Sequence, residues 1–130
     1  MTESNVPDGL RYAKSHEWVR VDGETVTVGI TDHAQAQLTD IVFADLPAAG
    51  KVAKGGTPVM VLESVKTVAD IYAPGDGTIV EANADLRAHP EYVNRDPYGK
   101  GWLYRLRLTG PLDPALLDPA GYRAFLAAGA

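Results

Sequence analysis

Apolar and polar residues alternate through "WVRVDGETVTVGI". Val19 and Val21 fall on one side of the alternation and Trp18 and Arg20 on the other; then Val26, Val28 and Ile30 oppose Thr25, Thr27 and Gly29. A period of two marks a half-buried strand. The alternation breaks at Asp22-Gly23, a favoured two-residue hairpin turn. The pattern predicts strands over about 17–21 and 25–30, closed into a hairpin. In "TDHAQAQL" the period of two is lost. Thr31 or Asp32 can cap a short helix there, with Ala34 and Leu38 on one side of it. "DIVFADL" reads as a strand ending at Pro47, and "PAAGKVAKGG" as a glycine-rich turn region. "TPVMVLE" is a strand, "SVK" a tip and "TVADIYA" the returning strand; "PGDG" is a turn and "TIVEANA" a further strand.

The β pattern fails over "DLRAHPEYVNRDPYGKG", where Pro90 favours a short helix starting near His89 or Pro90 and Asp96-Pro97-Tyr98-Gly99 forms a turn. "WLYRLRL" alternates again. Trp102, Tyr104, Leu106 and Leu108 are expected on one face, Leu103, Arg105 and Arg107 on the other. Asp113-Pro114 and Asp118-Pro119 each pair an N-cap residue with proline at a first helical position. Tyr122, Phe125 and Leu126 make an i, i+3, i+4 stripe. The expectation is a mostly β protein. It is a small β-sandwich or flattened barrel of about seven short strands, with short peripheral helices and a C-terminal helix. Residues 1–10 read as a loose leader and 11–130 as a single domain. A faint echo links "LPAAGKVAKGG" with "APGDGTIVEAN": both set a Pro-x-x-Gly turn beside an apolar strand.

Composition narrows the function. The chain has 130 residues, 45% apolar and 22% charged, with 13 Gly and 9 Pro spread in short clusters. Its net charge of −5 comes with no basic block, which argues against nucleic-acid binding. Cysteine is absent, so the chain cannot form disulfides or supply a thiol itself. The polar start "MTESNVPDGLRY" has neither a signal-peptide nor a transit-peptide pattern. No apolar run approaches the roughly 18 residues of a membrane span. A cytoplasmic protein is expected.

The chemistry centres on one lysine. Of Lys14, Lys51, Lys54, Lys66 and Lys100, only Lys66 is centred between two strand patterns of similar length. At a hairpin tip its amine is exposed, hydrated and chemically quiet. Schiff-base work would require burial or a cationic neighbour. An exposed amine on a rigid turn is instead a handle that an acylating enzyme finds by shape. Acylated by a short fatty chain it becomes a swinging arm reaching on the order of 12–15 Å. The plainer alternative is a solvated turn residue. The histidines, His16, His33 and His89, are too scattered for a metal spacing. Trp18 and Trp102 read as packing residues, and Asn94 with "DPYGKG" as loop formers beside the arm or plain turn residues.

A wider resemblance bears on the choice. "SHEWVRVDG", "VGITDHAQ", "DIVFADLP", "VLESVKTVADIYAP", "VNRDPYGKGWL" and "YRAFL" follow one another as in the glycine cleavage system H-protein family, from about residue 10 to residue 127. "ESVK" between strands resembles that family's lipoylation site. The resemblance implies a lipoyl/biotinyl-carrier fold (a barrel-sandwich hybrid) and lipoic acid in amide linkage to Lys66. It implies a carrier, not an enzyme. The expected partners are a pyridoxal-phosphate glycine decarboxylase, an aminomethyltransferase using tetrahydrofolate, dihydrolipoamide dehydrogenase and a lipoylating enzyme. It also implies that Ser15, Glu17 and Asp70 line the cleft that shelters the arm, the two acids facing its loaded amine. The competing reading of both acids is surface charge. Glu63, Ser64 and Val65 would form the tip that the lipoylating enzyme recognises, with Ser64 available for local turn hydrogen bonds. Other carriers remain open: a lipoyl domain of a 2-oxoacid dehydrogenase or a biotin carrier. Those usually place Asp before the lysine or Met on both sides of it, whereas Val65 and Thr67 stand here. A lipoyl donor to other proteins, or a simple interaction module, is the third reading.

Overall fold

The structure is a computed structural model describing residues 4–129. The hairpin that opens the alternating pattern consists of β2 (Glu17–Asp22) and β3 (Thr25–Ile30). Asp22 pairs with Thr25, so the loop is Gly23-Glu24, one residue later than the expected pair. Gly23 takes φ +63° there, the conformation glycine adopts at no steric cost. A two-residue strand, β1 (Arg11–Tyr12), lies along β2. Then come α1 (Asp32–Leu38), β4 (Ile41–Asp45), β5 (Val52–Ala53), β6 (Pro58–Ser64), β7 (Val68–Tyr72) and β8 (Gly75–Ala82). A 3₁₀ turn (Ala84–Arg87), α2 (Tyr92–Arg95), β9 (Tyr104–Leu112) and α3 (Pro119–Ala127) complete the described chain.

The strands form two antiparallel sheets, one ordered β1-β2-β3-β9-β8-β5 and the other β4-β6-β7. The expected mostly β sandwich is the architecture found. Between the sheets, Val19, Val26, Val28, Tyr104 and Leu106 meet Ile41, Val59, Met60, Leu62 and Ile71 in one buried cluster. The two echoing segments pair with each other: Val52 lies opposite Thr78, and Gly50 N–H donates to Ile79 O at 2.7 Å. "PGDG" is therefore not a turn but the start of β8. Gly77 makes this possible, since a Cβ there would stand 2.3 Å from the Arg107 carbonyl oxygen of β9. The alternation of "WLYRLRL" holds for Tyr104, Leu106 and Arg107. It fails at its first two residues, which precede β9. Leu103 is fully buried in the main core and Trp102 packs on a different cluster.

That second cluster covers the outside of β1 and β2. Tyr12, Trp18 and Tyr122 are fully buried in it, with Val6 and Leu10 beside them. The described part of the expected leader is therefore docked rather than loose: Tyr12 Oη donates to Pro7 O at 2.5 Å, and Arg123 Nη2 to Val6 O at 2.9 Å. Residues 1–3 of it lie outside the described residues. Of the two Asp-Pro pairs, Asp118 caps α3, accepting from Gly121 N–H at 2.7 Å, with Pro119 in the first turn. Asp113 starts no helix. Its Oδ1 accepts from Ala115 N–H at 2.9 Å, a side-chain turn that leaves the backbone free to bend. The helix expected from Pro90 begins later, at Tyr92. His16 and His33 lie side by side, ring centroids 4.7 Å apart, and His16 Nδ1 shares a 2.7 Å hydrogen bond with the Tyr122 hydroxyl. Among the described residues, no helix is long and apolar enough to cross a membrane.

Candidate functional site

The last residue pair between β6 and β7 is Glu63–Val68, so Ser64 to Thr67 form the tip. One hydroxyl organises it. Ser64 Oγ accepts from Lys66 N–H at 3.1 Å and Thr67 N–H at 3.0 Å, and it donates to Thr67 O at 3.1 Å. Two donors that a tight turn leaves unpaired are thereby satisfied without strain. Val65 N–H donates to Asp40 O at 3.0 Å, tying the tip to the chain that follows α1. Lys66 is exposed, with Nζ 3.4 Å from Gln37 O in the last turn of α1. Glu63 is half-buried and Val65 exposed.

Asn94 holds the segment that anchors Val65. Its Oδ1 accepts from Ile41 N–H at 2.9 Å; its Nδ2 donates to Thr39 O at 2.7 Å and Gln35 Oε1 at 3.2 Å. Thr39 sits at φ +62°, a costly conformation for a β-branched residue. The sequence offered only a turn-forming signal for Asn94. Its bond to residues 39–41, some 53 positions earlier, has no local signature.

The three residues expected in a cleft are placed unequally. Ser15 and Glu17 meet: Ser15 Oγ donates to Glu17 Oε1, and Tyr72 N–H donates to Glu17 Oε2 at 3.2 Å. They line a pocket of about 230 Å³ with Tyr72, Ala73, Pro74 and Asp113. Glu17 is only 2% exposed, so it is not a surface charge. Burial pushes its carboxyl up to about 7, against the two hydrogen bonds, which favour the charged form. Asp70 does not line this pocket. It is exposed on β7, two residues before Tyr72 and therefore on the same face of that strand. Among the described residues, no group of three or more metal-ligating side chains converges.

A family model described as glycine cleavage H-protein matches residues 10–127. The glycine cleavage system H protein of Laribacter hongkongensis is 54% identical to this chain, over 92% of it and 95% of the relative. That of Symbiobacterium thermophilum is 49% identical, over 97% and 99%. A crystal structure of a glycine cleavage system H protein from Mycobacterium marinum matches with a TM-score of 0.85 and 36% identity, over 94% of this chain and 99% of that one.

Two outcomes follow from the geometry. Asn94→Ala should cost about 1–3 kcal/mol in urea unfolding and speed hydrogen exchange at the Val65 amide. An unchanged Val65 exchange rate would show that the clamp does not reach the tip. For Glu17, the folded carboxyl titrates higher than the unfolded one. Its neutral form therefore favours the fold below the unfolded value of 4.5, and that contribution is lost as pH rises through about 7. Glu17→Gln stays neutral throughout. The variant should gain on the parent by roughly 3 kcal/mol between pH 4 and pH 8; parallel stability curves would refute the burial argument.

Proposed function

The chain belongs to the glycine cleavage H-protein family, and from that premise we propose that it is the lipoyl carrier of the glycine cleavage system, with the lipoyl group in amide linkage to Lys66. The observation that carries this reading is a rigid, exposed tip whose only long side chain is Lys66, on the same strand pair as a pocket holding a buried carboxyl. The residues present fit such a group. Ser64 accepts the turn's backbone N–H groups, the exposed Lys66 amine is held only by a 3.4 Å contact with Gln37 O, and the pocket has volume and an acid to spare. When attached, the lipoyl dithiolane would supply a disulfide able to accept the aminomethyl group left when glycine loses CO2 on glycine decarboxylase; aminomethyltransferase would pass the one-carbon unit to tetrahydrofolate with release of ammonia, and dihydrolipoamide dehydrogenase would reoxidise the remaining dithiol, its electrons going to NAD. This chain contributes no thiol and acts as carrier rather than enzyme.

Its own residues position and shield. Asp70 lies four residues along the strand from Lys66, a span of at most about 13 Å, within the length of a lipoyl-lysine arm. Tyr72 and the Glu17 pocket lie at most about 20 Å away by the same measure, the bound for a straight strand; the arm's reach of about 12–15 Å requires the bend of the chain at the tip to bring the pocket mouth closer than that bound. Asp70 thus meets an amine along the face, and Glu17 with Ser15 receives it at the pocket. A cation arriving beside Glu17 lowers its carboxyl toward the ordinary range, so amine binding releases a proton. Burial of Glu17 keeps water scarce around the site. Glu63, Ser64 and Val65 form the surface that the lipoylating enzyme recognises.

Lys66→Arg should take up no lipoyl mass when incubated with lipoate and a lipoate–protein ligase, and should support no glycine-dependent reduction; a lipoyl increment on the variant would place the arm elsewhere. In the loaded protein, Glu17→Gln combined with Asp70→Asn should release ammonia at least several-fold faster than the parent. An equal rate would remove both acids from the site.

A further inference from the structure

The sheet that ends in Lys66 has an outer face whose membership follows from its register. Phe43 pairs with Glu63 and Glu63 with Val68; Asp45 pairs with Val61 and Val61 with Asp70. Directly paired residues project to the same side of a sheet. The face therefore carries a row Phe43–Glu63–Val68 beside the tip and a row Asp45–Val61–Asp70 behind it. The row between, Ala44–Leu62–Ala69, turns inward, with Ala44 and Leu62 buried.

This face is apolar where solvent would favour polar residues. Phe43 is 50% exposed, Val68 59%, and Val65 at the tip 68%; Val42, at the irregularity between Ile41 and Phe43, is 52% exposed. The other exposed large apolar residues, Val21, Val52 and Val80, lie on the six-stranded sheet. Clustered exposure of this kind marks a contact surface, whereas single exposed residues need no explanation. The same face is acidic. Asp45, Glu63 and Asp70, with Asp40 next to the tip, make no side-chain ion pair among the described residues.

We propose that the outer face of β4, β6 and β7 is the docking surface for the enzyme that acylates Lys66. The partner offers an apolar recess for Phe43 and Val68 and a basic rim for Asp45, Glu63 and Asp70. The proposal rests on the reading of Lys66 as the acylated residue. The reach of the amine selects this occupant. An unmodified lysine extends only about 6 Å from its Cα, so an enzyme acting on Nζ must bring its own surface down onto the tip and the strands that flank it. An enzyme acting on the far end of a finished arm need not cover that root. The two rows span on the order of 200 Å², the centre of a larger contact that takes in the tip, with one aromatic anchor and charge steering supplying most of the selectivity.

The test is acylation of the full chain by a lipoate–protein ligase with lipoate and ATP, followed by intact mass. Phe43→Ser should raise KM about tenfold and leave kcat within about twofold. Asp45→Asn with Glu63→Gln should raise KM several-fold and flatten its dependence on salt. Val52→Ser, on the other sheet, should match the parent. All four proteins should share one melting temperature to within a few degrees. Parental KM for Phe43→Ser and for the double acid variant would overturn the docking face while leaving Lys66 in its role. So would normal acylation followed by slow loading with glycine decarboxylase, which would assign the face to that enzyme. If the parent takes up the group at a residue other than Lys66, the reading of Lys66 and the docking face fall together.

Discussion

The antiparallel register of β6 on β7 is the constraint from which the candidate site derives. With Glu63 opposite Val68, every second residue of β7 faces outward: Val68, Asp70 and Tyr72. Ile71, between them, is 2% exposed and belongs to the main core. A slip of one residue would bury Asp70 and expose Ile71. Such a slip places an unpaired carboxylate among apolar side chains and removes a large one from them, and both changes oppose folding. The register is therefore held by core packing. As a consequence, the lysine, the acid and the pocket wall fall in line on one surface. Function here is a by-product of a period-two pattern that the core enforces.

Glu17 runs against that economy. A carboxyl with 2% exposure, whose titration burial drives to about 7, is a costly choice for a strand start. Two hydrogen bonds, from Ser15 and from the Tyr72 backbone, are too few to offset desolvation fully. A fold selected for stability alone would place an amide or an apolar residue there. The surviving acid is intelligible if a cation visits, because the same burial that penalises the lone carboxylate strengthens its attraction to an ammonium.

The elements legible in the sequence were those whose signals are local. The β2–β3 hairpin, the Thr31 cap and the Asp118-Pro119 start of α3 each rest on a few adjacent residues. The burial of Glu17 was only half legible. As the first residue of β2 it shares the period-two face of Val19, which is buried in the main core. Alternation does not say whether the end of a strand is covered, and here Ser15 and the Tyr72 segment cover it. The resemblance to a known family, not periodicity, singled Glu17 out. The docking of Val6 and Leu10 was missed because two apolar residues among polar ones make no period; only the tertiary partner, α3, gives them a surface to cover. Asp113-Pro114 carried a helix signal as strong as Asp118-Pro119. What separates them lies downstream: after Pro119 comes the apolar stripe at Tyr122, Phe125 and Leu126, while Pro114 is followed at once by another turn.

The segment that breaks the β pattern also supports the tip. A helix as short as α2 has no stability of its own; Val93, fully buried in the main core, fixes where it lies. The next residue, Asn94, then faces the chain leaving α1 and takes the backbone groups of Thr39 and Ile41. Those bonds help hold Thr39 in its left-handed conformation and aim the Asp40 carbonyl at Val65 N–H. Position is thus passed from the core through Val93, Asn94 and Asp40 to the turn that presents Lys66. The amine stands in solvent, yet its backbone is held by contacts that begin at the centre of the protein, so the tip has little conformational freedom left to lose.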